Sequence, residues 1–222
     1  MHFYGTIGPA CADAETLRGM VDAGMTGIRM NLSHGALREH TDWLALLRAV
    51  GVRDLLIDLQ GPELRIGRLS QPVALTEGST VLLGAGGIAC PAPLVQAARP
   101  GQQLLLDDGR LLVQVTKAEP DVLRCTVLRG GVLQSRKSIA APGLAVEMPT
   151  LTEEDLQNLR IAADCGVTGV MLPFVRGKRD ILALRQALAE TGASHIRIFA
   201  KIENLTGVRA LPEFLSLVDE VV

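Results

Sequence analysis

What most limits the fold of this chain is a rhythm that starts, breaks off and resumes. Over the first sixty residues, short apolar runs alternate with helical periodicity. FYGTIG (3–8) reads as a strand, and DAETLRGMVDAG follows with Leu17, Met20 and Val21 at helical spacing and Gly24 as a stop. GIRMNL (27–32) is the next strand, Ala36–Val50 a helix with Leu37, Leu44, Leu47 and Val50 along one side, and DLLIDL (54–59) the third strand. Strands joined through helices are expected to lie parallel. From about Leu64 to Pro142 the signals turn to β and turn, with no helix expected. DDG (107–109) sits between LLL and RLLVQV as a hairpin signal, and EPD (119–121) and RGG (129–131) mark two more turns at hairpin spacing. GAGG (84–87) neither matches a nucleotide-binding glycine pattern nor opens a helix, so it reads as a plain turn. The α/β rhythm resumes at PTLTEEDLQNLRIAADCG, where Thr152 is an N-cap with Asp155 three residues on. GVMLPF, a helix over 178–192, HIRIFAKI, a helix over 205–217 despite Pro212, and the start of a sixth strand in LVDEVV complete the pattern. The expected organisation is an α/β domain over 1–63 and 144–222, with a β-rich domain over 64–143 inserted after the third strand.

Four of these strands end in polar or charged residues. GIRMNLSH ends in Arg29, Asn31, Ser33 and His34, LLIDLQGPE in Asp58 and Glu63, GVMLPFVR in Arg176, and IRIFAKIEN in Lys201 and Glu203. In parallel α/β folds the C-terminal strand ends carry the site, so a shared catalytic face is the better reading. Lys201 and Glu203 are two apart on a strand and so project to one side, an ammonium beside a carboxylate. A buried pair of this kind needs mutual pairing or an ion, and its plainer reading is a solvated ion pair on an edge strand.

The remaining composition removes several classes of function. Net charge is −2, which gives no electrostatic reason to expect nucleic acid or an anionic membrane surface as partner. Aromatic residues are 3%, too few for a base-stacking platform. No apolar run is long enough for a transmembrane helix, and MHFYGTIG has no signal-peptide pattern, so the chain reads as cytoplasmic. Cys11, Cys90, Cys125 and Cys165 are widely spaced, which fits reduced, packed thiols better than disulfides or a zinc site.

At TIGPAC (6–11), AGMTGIRMNLSHG (23–35), DLQGPELRIG (58–67), LLDDGR (105–110), SRKSIAAPG (135–143), FVR (174–176) and AKIENLTGV (200–208) the sequence resembles pyruvate kinase, in the family's order and across nearly the whole chain. The resemblance implies an α/β fold, a (β/α)8 TIM-type barrel of which about five βα units are present, interrupted after strand 3 by an all-β lid domain. It implies phosphoryl transfer from phosphoenolpyruvate to ADP, giving pyruvate and ATP. By the same resemblance, Arg29 holds the substrate phosphate, Lys201 stabilises the phosphoryl group in transfer, and Glu203 binds Mg2+ or Mn2+. Asn31, Ser33, Asp58 and the carbonyl of Leu59 match ligands of K+, and Glu63 matches the glutamate that accompanies K+ dependence. Asn31, His34, Arg65 and Lys137 match positions near the nucleotide. Leu59, Gln60 and Ala140 depart from the family's usual Thr, Lys and Asn. The family's later barrel units, with a second metal carboxylate and a threonine that serves enolate protonation, have no counterpart before Val222. The chain is therefore expected to be the N-terminal part of a longer enzyme, inactive by itself, whose full form is a homotetramer.

Each residue also has a plainer reading. Arg29 reads equally as an ion pair with Asp58 on the neighbouring strand, Asn31, Ser33 and His34 as caps near Gly35, Arg65 and Lys137 as solvated charges, and Asp107 and Asp108 as hairpin residues alone. Two other functions compete: a non-catalytic phosphoenolpyruvate-binding or partner-dependent truncated barrel, and a metal-dependent 2-oxo acid aldolase or lyase barrel. The β insertion argues against the second.

Overall fold

The structure is a computed structural model that describes residues 2–144 and 146–222. Its first half opens with β1 (Tyr4–Thr6), α1 (Ala14–Asp22) and β2 (Gly27–Asn31), continues through α2 (Thr41–Val50), and reaches β3 (Leu55–Asp58). Asp13 caps α1 by accepting from the Thr16 N–H at 2.9 Å, and Leu17 is the residue α1 buries completely. The helix expected over Ala36–Val50 begins only at Thr41. Two 3-10 turns, Leu32–His34 and Leu37–Glu39, precede it. Gly35 at φ 154 separates them, and the Leu37 N–H leaves the local chain to donate to Asn158 Oδ1 at 2.8 Å. A helix begun at Ala36 would leave this first-turn N–H without an intrahelical partner, and Asn158 supplies one to the 3-10 turn that stands there instead; periodicity alone overstated the helix's length.

The middle of the chain is a separate compact unit, Glu63–Met148. It holds β4 (Val73–Leu75), β5 (Thr80–Gly84), α3 (Ala92–Ala97), β6 (Gln103–Leu106), β7 (Leu111–Ala118), β8 (Val122–Arg129), β9 (Gly131–Leu133) and β10 (Ile139–Ala140). Five of the strands form an antiparallel sheet in the order β10-β6-β7-β8-β5, and β4 pairs with β9. The β6–β7 hairpin turns through Asp108 and Gly109, at φ 53 and 82, the paired positive values a type I′ turn requires. Two expectations fail here. RGG does not make a hairpin, because it leads β8 into β9, whose partner is β4. A helix also exists where none was expected: Pro91 sits at the N-cap of α3 and Pro93 in its first turn, where a missing N–H costs nothing, and Leu94, Val95 and Ala98 are buried. The run of prolines hid it. GAGG is a turn, closed by Gly87 N–H to the Gly84 carbonyl at 3.1 Å. Burial pushes the Cys90 thiol up to about 11 and, with Cys90 nearby, that of Cys125 up to about 12, so both remain packed thiols.

The chain then adds α4 (Glu153–Ala162), β11 (Gly169–Leu172), α5 (Lys178–Glu190), β12 (Arg197–Ala200), α6 (Leu205–Phe214) and β13 (Glu220–Val221) to the first unit. The capping box of Thr152 and Asp155 is present, and α6 passes into a 3-10 turn at Leu215–Leu217. All six strands are parallel, in the order β1-β2-β3-β11-β12-β13. Alternation divides this sheet cleanly. Ile28, Met30, Leu55, Ile57, Val170, Leu172, Ile198 and Ala200 join the helices in one large core. The other face carries Leu56, Met171 and Phe199 as a small apolar layer with Tyr4 against it, and polar groups at both strand ends. Among the described residues no helix is long and apolar enough to cross a membrane.

At the N-terminal strand ends Asp54 gathers three donors: Tyr4 OH at 2.5 Å, Arg197 Nη2 at 2.5 Å, and Thr168 Oγ1. Burial alone would raise the Asp54 carboxyl, and the bonds from Thr168, Tyr4 and Arg197 outweigh it, leaving it below its usual range. Burial and then the Asp54 carboxylate push the Tyr4 phenol upward, which keeps it a donor. A lowered carboxyl stabilises the fold above its unfolded value of about 4 and stops doing so as the pH falls through the folded value. Asp54→Asn should therefore melt below the wild type at pH 7, and the gap should close below about pH 4. A gap constant from pH 7 to pH 3, measured by thermal unfolding, would remove this role.

Candidate active site

The C-terminal ends of the same strands carry the opposite polar cluster. Residues of one parity along each strand face away from the helices: Thr6 on β1, Arg29 and Asn31 on β2, Asp58 on β3, and Lys201 and Glu203 just past β12. The Arg197, Phe199, Lys201, Glu203 series keeps this alternation beyond the last strand residue, because the Lys201 and Ile202 N–H groups still donate to Leu172 and Val222 carbonyls at 3.0 and 2.9 Å. Asp58, 2% exposed, is the hub. Arg29 donates to its Oδ2 through Nη2 at 2.5 Å and Nε at 3.0 Å, and Lys201 Nζ lies 3.3 and 3.4 Å from its two oxygens. Lys201 Nζ also meets Glu203 Oε1 at 3.2 Å. Thr6 Oγ1 accepts from Arg29 Nη1 at 3.1 Å and steadies the outer edge of the guanidinium.

Arg29, Asp58, Lys201 and Glu203 thus come together, a linked array of two cations and two anions. The plainer reading of Arg29 as an ion pair with Asp58 is also what the geometry displays. Asn31 stands opposite Asp58 in the strand register, and its Oδ1 accepts from the Ser33 N–H at 3.1 Å, capping the first 3-10 turn. Ser33 and His34 are exposed on that turn. The Leu59 side chain is buried in the helix-side core, so only its carbonyl is free to act. Glu63, Arg65 and Lys137 belong to the β-rich unit. There Arg65 pairs with Glu63 and also donates to the Arg136 carbonyl at 2.9 Å, while Lys137 Nζ lies 2.8 Å from Asp107 Oδ1. Asp107 therefore does more than shape its hairpin.

Several contributors were not legible in the sequence. The Phe174 N–H donates to Glu203 Oε2 at 3.0 Å, and Phe174 takes φ 55, a left-handed conformation that costs a residue with a side chain about 1–2 kcal/mol. The loop that holds it is pinned on both sides. Buried Asp180 accepts from Arg176 N–H at 2.8 Å, from Arg176 Nη2 at 2.7 Å and from Thr150 Oγ1 at 2.5 Å. Burial would raise the Asp180 carboxyl, and these bonds outweigh it and hold it low. Asn204 donates to the Val175 carbonyl at 3.1 Å and caps α6 through the Gly207 N–H at 2.8 Å. Gly207 is required there, since a Cβ would run into the Val175 carbonyl. Asn at the residue before a helix was the one readable signal among these.

An ammonium, a guanidinium and hard carboxylate oxygens at one end of a parallel sheet suit a phosphorylated substrate and a cation. A family model described as "Pyruvate kinase, barrel domain" matches residues 2–222, so the six-stranded sheet is part of an α/β barrel. Pyruvate kinase from Chlamydia pneumoniae is 31% identical over 97% of this chain and 48% of its own length. Pyruvate kinase PKLR from Homo sapiens is 35% identical over 97% of this chain and 42% of its own, and pyruvate kinase from Aeropyrum pernix 35% over 98% and 49%. The chain spans about half or less of the length of these relatives. With a match of this extent, the chain belongs to the pyruvate kinase family.

Proposed function

We propose that this chain carries the phosphoryl-transfer end of a pyruvate kinase, moving a phosphoryl group from phosphoenolpyruvate to ADP. The carrying observation is the array of Arg29, Asp58, Lys201 and Glu203 at one strand end, with contacts of 2.5–3.4 Å. In this reaction the bond between phosphorus and the enol oxygen breaks, a terminal oxygen of ADP takes the phosphoryl group, and the enolate takes a proton to become pyruvate. Catalysis of such a step is positioning and charge neutralisation. Arg29 would hold the substrate phosphate with its planar fork, and Lys201 would meet the charge that builds on the phosphoryl oxygens in transit. His34 and Asn31 from the α/β unit, and Arg65 and Lys137 from the β-rich unit, are the candidates for ADP contacts. We take the β-rich unit to be the lid of a (β/α)8 barrel and the native assembly to be a homotetramer.

The oxygen donors fit both expected cations. Mg2+ or Mn2+ is commonly held by one or two carboxylates together with substrate phosphates, and Glu203 supplies such a carboxylate beside Lys201. Such a cation would neutralise phosphate charge. For K+, Asn31, Ser33 and Asp58 offer side-chain oxygens, and Leu59 its carbonyl. The ladder supports that last role. The Leu59 N–H donates to the Met171 carbonyl at 3.2 Å, so a regular parallel ladder would return the Leu59 carbonyl to the N–H of residue 173. Residue 173 is proline and has none, which leaves that oxygen open to an ion. Glu63 would support the same dependence. Transfer should run clearly faster in K+ than in Na+ at equal ionic strength, and equal rates would remove the K+ assignment. The proposal as a whole is tested in the native full-length protein by ATP formation from phosphoenolpyruvate and ADP with Mg2+ and K+, comparing wild type with Lys201→Met. Undiminished turnover in that variant would overturn it.

A further inference from the structure

The dipeptide Pro173–Phe174 interrupts the barrel sheet on both of its sides, and the Phe174 side bears on Glu203. The β11–β12 register runs Gly169↔Arg197 to Leu172↔Ala200. One step further sets Lys201 opposite Pro173, and the Lys201 N–H donates to the Leu172 carbonyl as that register demands. A regular parallel ladder would then return the Lys201 carbonyl to the Phe174 N–H. It goes instead to the Val175 N–H, at 3.3 Å. One extra residue has been slipped into the strand extension, a β-bulge with its inserted residue in the left-handed region at φ 55. The consequence is a main-chain donor released from the sheet, and that donor reaches Glu203 Oε2 at 3.0 Å while Lys201 Nζ takes Oε1 at 3.2 Å.

We propose that the Phe174 bulge is a positioning device for the Glu203 carboxylate: its freed N–H fixes the carboxylate's rotation and so sets the oxygen that a divalent cation meets. The inference rests on the reading of Glu203 as a cation ligand. Two side chains keep the bulge in place: Asp180 holds the Arg176 N–H and guanidinium, and Asn204 holds the Val175 carbonyl, while Gly61, without a Cβ, leaves room for Pro173 and the Phe174 ring. A bulge with no task would have little reason to keep an aromatic residue in a conformation that glycine adopts freely.

The test removes the N–H and keeps the ring. In the full chain, Phe174 is replaced by phenyllactate, which turns its amide into an ester and keeps the ring. The probe is Mn2+ in the presence of phosphoenolpyruvate, with affinity read from the free-ion electron paramagnetic resonance signal. The ester should weaken Mn2+ binding by about tenfold or more, as the loss of an outer partner of a metal ligand does. Phe174→Gly, which keeps the N–H and relieves the left-handed strain, should bind within about threefold of wild type. If Glu203→Gln loses Mn2+ while the ester binds as wild type, the positioning role is overturned and the ligand reading of Glu203 survives. If Phe174→Gly loses as much as the ester, the ring rather than the N–H matters, and the proposal is again overturned. If Glu203→Gln itself binds as wild type, the ligand reading fails and the positioning role falls with it.

Discussion

On the proposed function, Lys201→Met in the native full-length protein should lower phosphoryl transfer from phosphoenolpyruvate to ADP by about 10³-fold, with a much smaller change in the KM for phosphoenolpyruvate. The asymmetry follows from where the ammonium acts. Arg29 would still hold the substrate phosphate before reaction, but the charge that spreads over the phosphoryl oxygens during transfer would lose its compact partner. An interaction made only in the transition state appears in kcat, and 10³-fold corresponds to about 4 kcal/mol. Stability should change little. Methionine fills much of the volume of the lysine stem, and Asp58 keeps both of its bonds from Arg29, at 2.5 and 3.0 Å. Lys201→Arg should fare almost as badly in turnover, since a planar fork on a longer stem does not replace a point charge beside Glu203. The measurement is steady-state kinetics with saturating Mg2+ and K+. A loss below about tenfold in Lys201→Met would remove the lysine from the transfer step.

How much of this was readable in the residues differs between the sheet and its connections. The parallel strands were legible because burial on both faces leaves dense apolar runs such as LLID, and because alternation within IRIFAKIEN put Arg197, Lys201 and Glu203 on one side. The meeting of Lys201 with Glu203 followed from that alternation, even though the strand itself ends at Ala200. What periodicity could not give were bonds decided by distant residues. The Leu37 N–H goes to Asn158 from a 3-10 turn, and the helix expected from Ala36 begins at Thr41. The three prolines at 91, 93 and 100 masked α3, whose short apolar face is fixed by the β sheet it covers. The left-handed Phe174 is the extreme case. Nothing in PFVR announces a positive φ at phenylalanine, because the conformation is imposed by Asp180, Asn204 and Gly207 from elsewhere in the chain.

Removing the hub of the site should unsettle the fold more than removing any of its spokes. Asp58→Ala is expected to cost about 3 kcal/mol of unfolding free energy, at the low end of the range for breaking a buried ion pair, and so to lower Tm by roughly 6–12 °C. The low end applies because the side chains left behind are not sealed: Arg29 and Lys201 keep 28% and 21% exposure, so water can partly resolvate them. The cost remains substantial because both cations relied on one carboxylate that is 2% exposed, and without it they repel each other across the space it filled. Two further measurements separate this account from simple loss of packing. Added salt should shrink the deficit of Asp58→Ala, since screening weakens the repulsion between Arg29 and Lys201. Arg29→Met placed in the Asp58→Ala background should restore part of the lost stability, although Arg29→Met alone destabilises, because it withdraws a charge that no longer has a partner. Additive losses in that double variant, or a melting point for Asp58→Ala within a degree or two of wild type, would mean that the array is held by its surroundings and not by Asp58.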